Sequence, residues 1–182
     1  SSSDDCTITS VTGPHINKYS NADVKFFNTY DNGFTCFPKN LEKFFKNLEN
    51  LHFGYEGITM LTRSDLQPFG GKLKKFWSYS NPIEVIPADL FEDTRNLEFI
   101  SLSGNNIKHV SSGAFQNLGK LTSLLMDPNP CNSGDATNRG EVLKLISRIE
   151  RNCNDDKAIK KYMSQLSTTT EVPTTTKRAI IT

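Results

Sequence analysis

The 182-residue sequence has almost no net charge: +1, from 21 basic and 20 acidic residues. Composition therefore gives no case for nucleic acid or an anionic membrane surface as partner. No apolar run approaches the roughly 18 residues that a membrane span needs, so no span is expected. Histidine is scarce: His15, His52 and His109 fall in three separate regions. No G-x-S-x-G, H-E-x-x-H, G-x-x-x-x-G-K-[ST] or EF-hand spacing occurs. Neither an enzyme, nor a metal site, nor a cofactor is expected. C-x-x-C is also missing, which argues against zinc. There is no N-x-[ST] sequon, so N-linked glycans are not expected. The chain opens SSSDDC, without an initiator Met or a signal-type apolar segment. It reads as a mature or trimmed form from which a signal peptide has been removed.

What is present is a period. Leu97, Ile100, Leu102, Asn105 and Ile107 give the spacing L-x-x-I-x-L-x-x-N-x-I. This is the leucine-rich repeat consensus, a short strand followed by an asparagine-bearing turn. Leu121, Leu124, Met126, Asn129 and Cys131 occupy the same offsets one repeat later. Upstream, so do Leu73, Phe76, Ser78, Asn81 and Ile83; Leu48, Leu51, Phe53, Glu56 and Ile58; and Val24, Phe27, Thr29, Asn32 and Phe34. The intervals are 24, 25, 24 and 24 residues. A second register agrees: Phe37, Leu61, Ile86 and Val110 follow their repeat starts by a constant offset, and Leu41, Leu66, Phe91 and Phe115 supply the apolar return. A strand buries alternate residues on one face, and the asparagine amide can satisfy backbone groups of the turn. One unit cannot bury its own apolar face, so units must stack. The expectation is an α/β repeat fold: a solenoid with a concave parallel sheet, about four full repeats and a terminal strand. Three positions depart from the pattern. Thr29 and Ser78 stand where an apolar residue is usual, and Glu56 replaces the asparagine. Phe37-Pro38 and Ile86-Pro87 favour extended or 3₁₀ turns over long helices on the convex side.

The four cysteines fall in two pairs, Cys6 with Cys36 and Cys131 with Cys153, one pair at each end of the array. Two disulfides closing the ends in an oxidising compartment is the economical reading. Two other connectivities, and reduced buried thiols, remain open on sequence alone. Residues 1–23 form an N-terminal cap, with a strand expected over residues 6–11 and a turn at Thr12-Gly13-Pro14. Residues 24–131 are the repeats. Residues 132–166 form a helical C-terminal cap. Its first helix, 141–151, puts Val142, Ile146, Ile149 and Cys153 on one face, and a second, 155–166, aligns Ile159, Met163 and Leu166. The Thr-rich run 167–182 reads as a disordered tail, or as a stalk that would lead to a membrane anchor beyond residue 182.

The wording of several segments, NADVKFF, PKNLEKFFKNLENL, ADLFEDTRNLEFISLSGNNIKHV and GAFQNLGKL, resembles secreted leucine-rich repeat proteins of insects. The likeness spans about residues 22–131. It implies a curved solenoid and a recognition role outside the cell, in immunity, adhesion or receptor signalling.

Strand alternation points offsets 3, 5 and 7 of each repeat toward the concave face. Because repeats stack in register, Asn28, His52, Trp77, Ser101 and Leu125 should form one row. An aromatic cluster follows: Phe26, Tyr30, Tyr55, Trp77, Tyr79 and Phe99, with His52 among them. It holds the single Trp of the chain and three of its five Tyr. Aromatic residues give large contact area for little entropy, so this cluster is the candidate binding patch for a protein, or for a glycan whose sugar rings would stack there. The competing reading is that strands are aromatic by propensity and the rings cover one another. Lys72, Lys74 and Lys75 form a small basic cluster, read as a solvated face, as is His109 beside Lys108. The expected function is extracellular recognition through the concave sheet. The alternative is a structural or adhesive matrix component without a soluble ligand.

Overall fold

The computed structural model describes residues 6–12 and 19–166. Residues 1–5, Gly13-Pro14 of the expected turn, His15 and the Thr-rich run all lie outside the described residues.

The alternating segments form a parallel sheet: β1 (Phe26–Tyr30), β2 (Asn50–Gly54), β3 (Lys75–Trp77), β5 (Phe99–Ser101) and β7 (Ser123–Leu125) lie side by side in that order. The register runs Phe26↔Asn50, Asn50↔Lys75, Lys75↔Phe99 and Phe99↔Ser123, so neighbours in space are one repeat apart in sequence. Leu48, Leu73, Leu97 and Leu121 are buried almost completely and form the start of each turn of the interior. Val24, at the open end of the column, is only partly buried against the same core. Truncating one such interior leucine costs about 2–5 kcal/mol, the lost transfer energy plus a cavity. The return side is built from short pieces, as the prolines require. These are one-turn helices α1 (Leu41–Phe44) and α2 (Arg63–Leu66), and a 3₁₀ segment (Gln67–Lys72) with proline at its start. A second, two-stranded parallel sheet pairs β4 (Val85–Ile86) with β6 (His109–Val110). His109 is therefore not a solvated turn residue. It is a half-buried strand residue, paired in register with Val85.

Asn81 and Asn129 do what their position demands. Asn81 accepts from the Ile58 N–H (3.2 Å) and donates to the Phe53 carbonyl (2.9 Å) of the preceding repeat. Asn129 accepts from the Ile107 N–H (3.0 Å) and donates to the Leu102 carbonyl (2.9 Å). Glu56 takes over half of this role. Its buried carboxylate accepts from the Phe34 N–H (2.9 Å) and the Asn32 N–H (3.1 Å), but it has no hydrogen to return to the preceding carbonyl. Thr29 and Ser78 are buried at their apolar positions. The Ser78 hydroxyl accepts from Asn81 at 3.3 Å, whereas the Thr29 hydroxyl has no partner among the described residues.

Both ends carry disulfides, Cys6–Cys36 and Cys131–Cys153. Residues 6–11 do not form the expected strand. They meet the return side at the parallel bridge Thr7↔Lys39, with Ile8 and Cys6 buried. At the other end the polar loop after Cys131 contains an unexpected strand, β8 (Asp135–Ala136), which pairs antiparallel with β7 and closes that edge of the sheet. Asp135 secures it by accepting from the Met126 and Asp127 N–H groups at 2.9 and 3.1 Å. Helix α3 (Arg139–Asn152) starts at an Asn138 cap. It buries Val142, Leu145 and Ile149, while Ile146, expected in their place, is only partly covered. The Arg139 guanidinium ties the helix to the Leu118 and Leu121 carbonyls at 2.9 and 3.1 Å. Helix α4 (Asp156–Leu166) buries Ile159 and sends the Tyr162 hydroxyl to the Thr59 carbonyl, 3.3 Å away. Among the described residues no helix is long and apolar enough to cross a membrane.

Candidate functional site

Two periodicities build the site. The two-residue alternation of the strand turns every second side chain to the open face. The repeat length then sets those side chains side by side on adjacent strands, about 4.8 Å apart. The expected row is present: Asn28↔His52, His52↔Trp77, Trp77↔Ser101 and Ser101↔Leu125 are all paired.

All seven candidate residues come together in one network of rings. Trp77 lies 4.8 Å from Phe99, 5.8 Å from His52 and 6.2 Å from Phe26, centroid to centroid. His52 also meets Phe26 at 6.3 Å and Tyr79 at 5.2 Å. Tyr55 joins Tyr79 at 5.6 Å and Tyr30 at 5.0 Å. The cluster is not self-covering. Phe26, Tyr30 and Tyr55 remain 50%, 53% and 52% exposed, and His52, Trp77, Tyr79 and Phe99 are half-buried. An apolar group of this size left facing solvent is uncommon on a monomer.

Two backbone features shape the patch. Tyr55 has a φ of +54°, and the residues at the same offset in other repeats, Asp31, Ser80 and Gly104, are left-handed too, at +53°, +54° and +66°. This turn closes each strand, and only one of the four positions uses glycine. Tyr55 tolerates a conformation that is costly for a side-chain-bearing residue, and its ring joins the tyrosine row. Gly54 is the second feature. A Cβ there would sit 2.7 Å from Tyr79 Cζ, so the tyrosine ring lies directly against the strand backbone. Gly54 and Ser101 were both expected on the open face. Both are buried, because the rings beside them cover the sheet floor.

The electrostatics follow from this burial. His52 Nδ1 contacts Asn28 Oδ1. Partial burial among rings holds the His52 pKa below its ordinary value. Burial, with Tyr30 and Tyr55 close by, pushes the Tyr79 hydroxyl up. Among the described residues no group of histidine, cysteine and carboxylate side chains has the arrangement of a metal site.

The three lysines read as one basic cluster separate. Lys74 pairs with Glu49 at 2.6 Å, and Glu49 also meets Lys25 at 3.0 Å. Hydrogen bonding first to Lys74 and then to Lys25 holds the Glu49 pKa below the usual carboxylate value. Lys72 donates to the Lys46 carbonyl (2.8 Å) and to Asn47 Oδ1 (3.3 Å). Lys75 alone belongs to the open face, in register with Asn50 and Phe99. Strand alternation carried that information, since Lys74 and Lys75 must face opposite ways.

Comparison with known proteins agrees with the geometry. The model of the leucine rich repeat family matches residues 79–130. Among solved structures, a chain of the Toll–Spatzle complex of Drosophila superposes with a TM-score of 0.54 at 18% identity, covering 63% of this chain and 17% of that one. A chain of the glycosylated form of the same complex gives a TM-score of 0.50 at 26% identity, covering 54% of this chain and 13% of that one. That complex is described as a molecular hub in Drosophila development and innate immunity. The present chain thus spans less than a fifth of the length of those chains, and shares their leucine-rich repeat fold over a little more than half of its own.

Proposed function

We propose that this leucine-rich repeat fold is an extracellular recognition module, not an enzyme, and that it binds a protein partner on the open face of its sheet. In this reading the solenoid holds four full repeats and a terminal strand, sealed at both ends by disulfide-bearing segments. The observation that carries it is the continuous network of seven rings, three of them half-exposed, spread over four adjacent strands. Protein interfaces concentrate their binding energy in such aromatic anchors. The two disulfides suit an oxidising, extracellular setting. The likeness to chains of a complex that acts in development and innate immunity supports a recognition role of that general kind.

The test is capture from secreted fluid with the wild-type chain and with a Trp77→Ala/Tyr79→Ala variant. Both side chains lie on the surface of the sheet and outside the central core, so the variant should melt within a few degrees of wild type. Proteins retained by the wild type and lost from the variant are the expected result. Equal retention by both would place the partner elsewhere, and retention of glycans alone would replace the protein reading.

A further inference from the structure

The open face carries charge as well as rings. Some basic side chains are paired between repeats: Lys25 and Lys74 share Glu49, Lys108 meets Glu84 at 2.8 Å, and on the return side Arg63 meets Glu92 and Asp93 at 2.7 and 2.8 Å. The lysine of the open face is not among them. Lys75 is exposed, and among the described residues it has no carboxylate partner. Its register neighbours Asn50 and Phe99 are neutral. Asp127, the acidic residue expected on the same face, follows β7, two strands beyond β3, so roughly 10 Å of sheet separates it from Lys75.

Lys75 also stands in a defined relation to the rings. It is two residues before Trp77 on β3, so the ammonium and the indole share one face roughly 7 Å apart along the strand. His52, in register with Trp77, stands between it and Tyr79 of the tyrosine row. The surface therefore presents an aromatic floor with one cation, Lys75, at its upstream margin. A neutral sugar would leave the cation without a partner. A basic partner would be repelled by it.

We propose, resting on the reading of the patch as a protein-binding surface, that its occupant is an extended protein segment carrying an acidic side chain two positions from an aromatic or large aliphatic one. In an extended segment those two side chains share a face with the same spacing as Lys75 and Trp77. The apolar side chain stacks on Trp77, and the carboxylate meets Lys75. The aromatic contact supplies most of the affinity, and the ion pair sets which segments are accepted.

The test uses the full chain and three peptides: acetyl-Ala-Phe-Ala-Glu-Ala-amide, its Glu→Gln counterpart and its Glu→Lys counterpart. Because Trp77 is the single Trp of the chain, its emission reports occupancy directly, and amide NMR shifts locate the site. The acidic peptide should bind about three- to fivefold more tightly than the Gln peptide at low salt, the range of an exposed ion pair, and the gap should shrink as salt is raised. The Lys peptide should bind weakest. Lys75→Gln should erase the gap. Equal affinity of wild type for the Glu and Gln peptides, or a gap that survives in Lys75→Gln, overturns this proposal and leaves the aromatic surface standing. Failure of all three peptides to perturb Trp77 or the β2, β3 and β5 amides overturns both. Binding of chitotriose at those amides, with no peptide bound, would assign the patch to a glycan.

Discussion

Glu56 offers the sharpest test of how the repeats are held together. Its carboxylate stands where the other repeats place asparagine, and it satisfies two backbone donors of the preceding repeat, Phe34 N–H at 2.9 Å and Asn32 N–H at 3.1 Å. Phe34 is buried, so its N–H has no route to water once the carboxylate is gone. Hydrogen bonds to a charged acceptor contribute about 1.5–3 kcal/mol, and a buried donor left unpaired costs about 1–3 kcal/mol. Glu56→Ala should therefore destabilise the fold by about 3 kcal/mol. For a chain of this size that lowers Tm by roughly 6–12 °C. With a urea m-value of about 2 kcal/mol/M, the midpoint falls by about 1.5 M. Glu56→Asn is the informative control. Asn81 and Asn129 show that an amide at this position both accepts from a turn N–H and donates to a carbonyl of the preceding repeat. Asn at residue 56 can add the donor bond that a carboxylate cannot make, so it should fall within about 1 kcal/mol of wild type. The assay is urea unfolding followed by far-ultraviolet circular dichroism, with a constant m-value as the check on two-state behaviour. If Glu56→Ala kept the wild-type midpoint, or if Asn proved as damaging as Ala, the ladder account would be wrong.

Gly54→Ala should leave stability within about 1 kcal/mol, because the ring atom it meets is the far end of a flexible side chain and the loss of a glycine trims unfolded-state entropy. It should nevertheless push the Tyr79 ring off the sheet, seen as lost NMR cross-peaks from Tyr79 to Tyr55 and His52; unchanged cross-peaks would refute the close approach. His52 has a folded-state pKa below the unfolded value of about 6.5, so the unfolded chain takes up its proton first as pH falls. Its contribution to stability is thus complete above that value and is lost as pH drops through the folded pKa. Trp77 emission should be quenched by the protonated ring with a midpoint below 6.5, and His52→Gln should remove the transition. Reducing the Cys131–Cys153 bridge, which closes 22 residues, should cost about 3.4 kcal/mol by loop entropy and release α3 first. Hydrogen exchange that accelerates in the repeats before α3 would contradict that order.

The sheet, its register and its aromatic face were legible because two short rules compound. Alternation decides which side chains leave the core, and a nearly constant repeat length decides which of them become neighbours. The row from Asn28 to Leu125 follows from those rules alone. The ends were less legible. In residues 6–11 a β-branched alternation suggested a strand, but the segment forms isolated bridges, such as Thr7 with Lys39, and not a continuous ladder. The Asp135–Ala136 strand had no pattern to announce it, since two residues carry no periodicity.

By itself, then, the chain determined the things that depend on spacing: the stacked strands, the buried leucine positions, the rings gathered on one face and the pairing of cysteines at each end as the economical choice. Tertiary structure decided the things that depend on what lies next door. Whether Ser101 and Gly54 see solvent depends on rings contributed by other residues of the sheet. Whether Leu145 or Ile146 is buried depends on how α3 is rolled when Arg139 grips the last repeat. Whether a lysine is neutralised or left free depends on which carboxylate a neighbouring repeat brings within reach. Periodicity is a property of one strand of text, whereas burial and pairing belong to the space between neighbours.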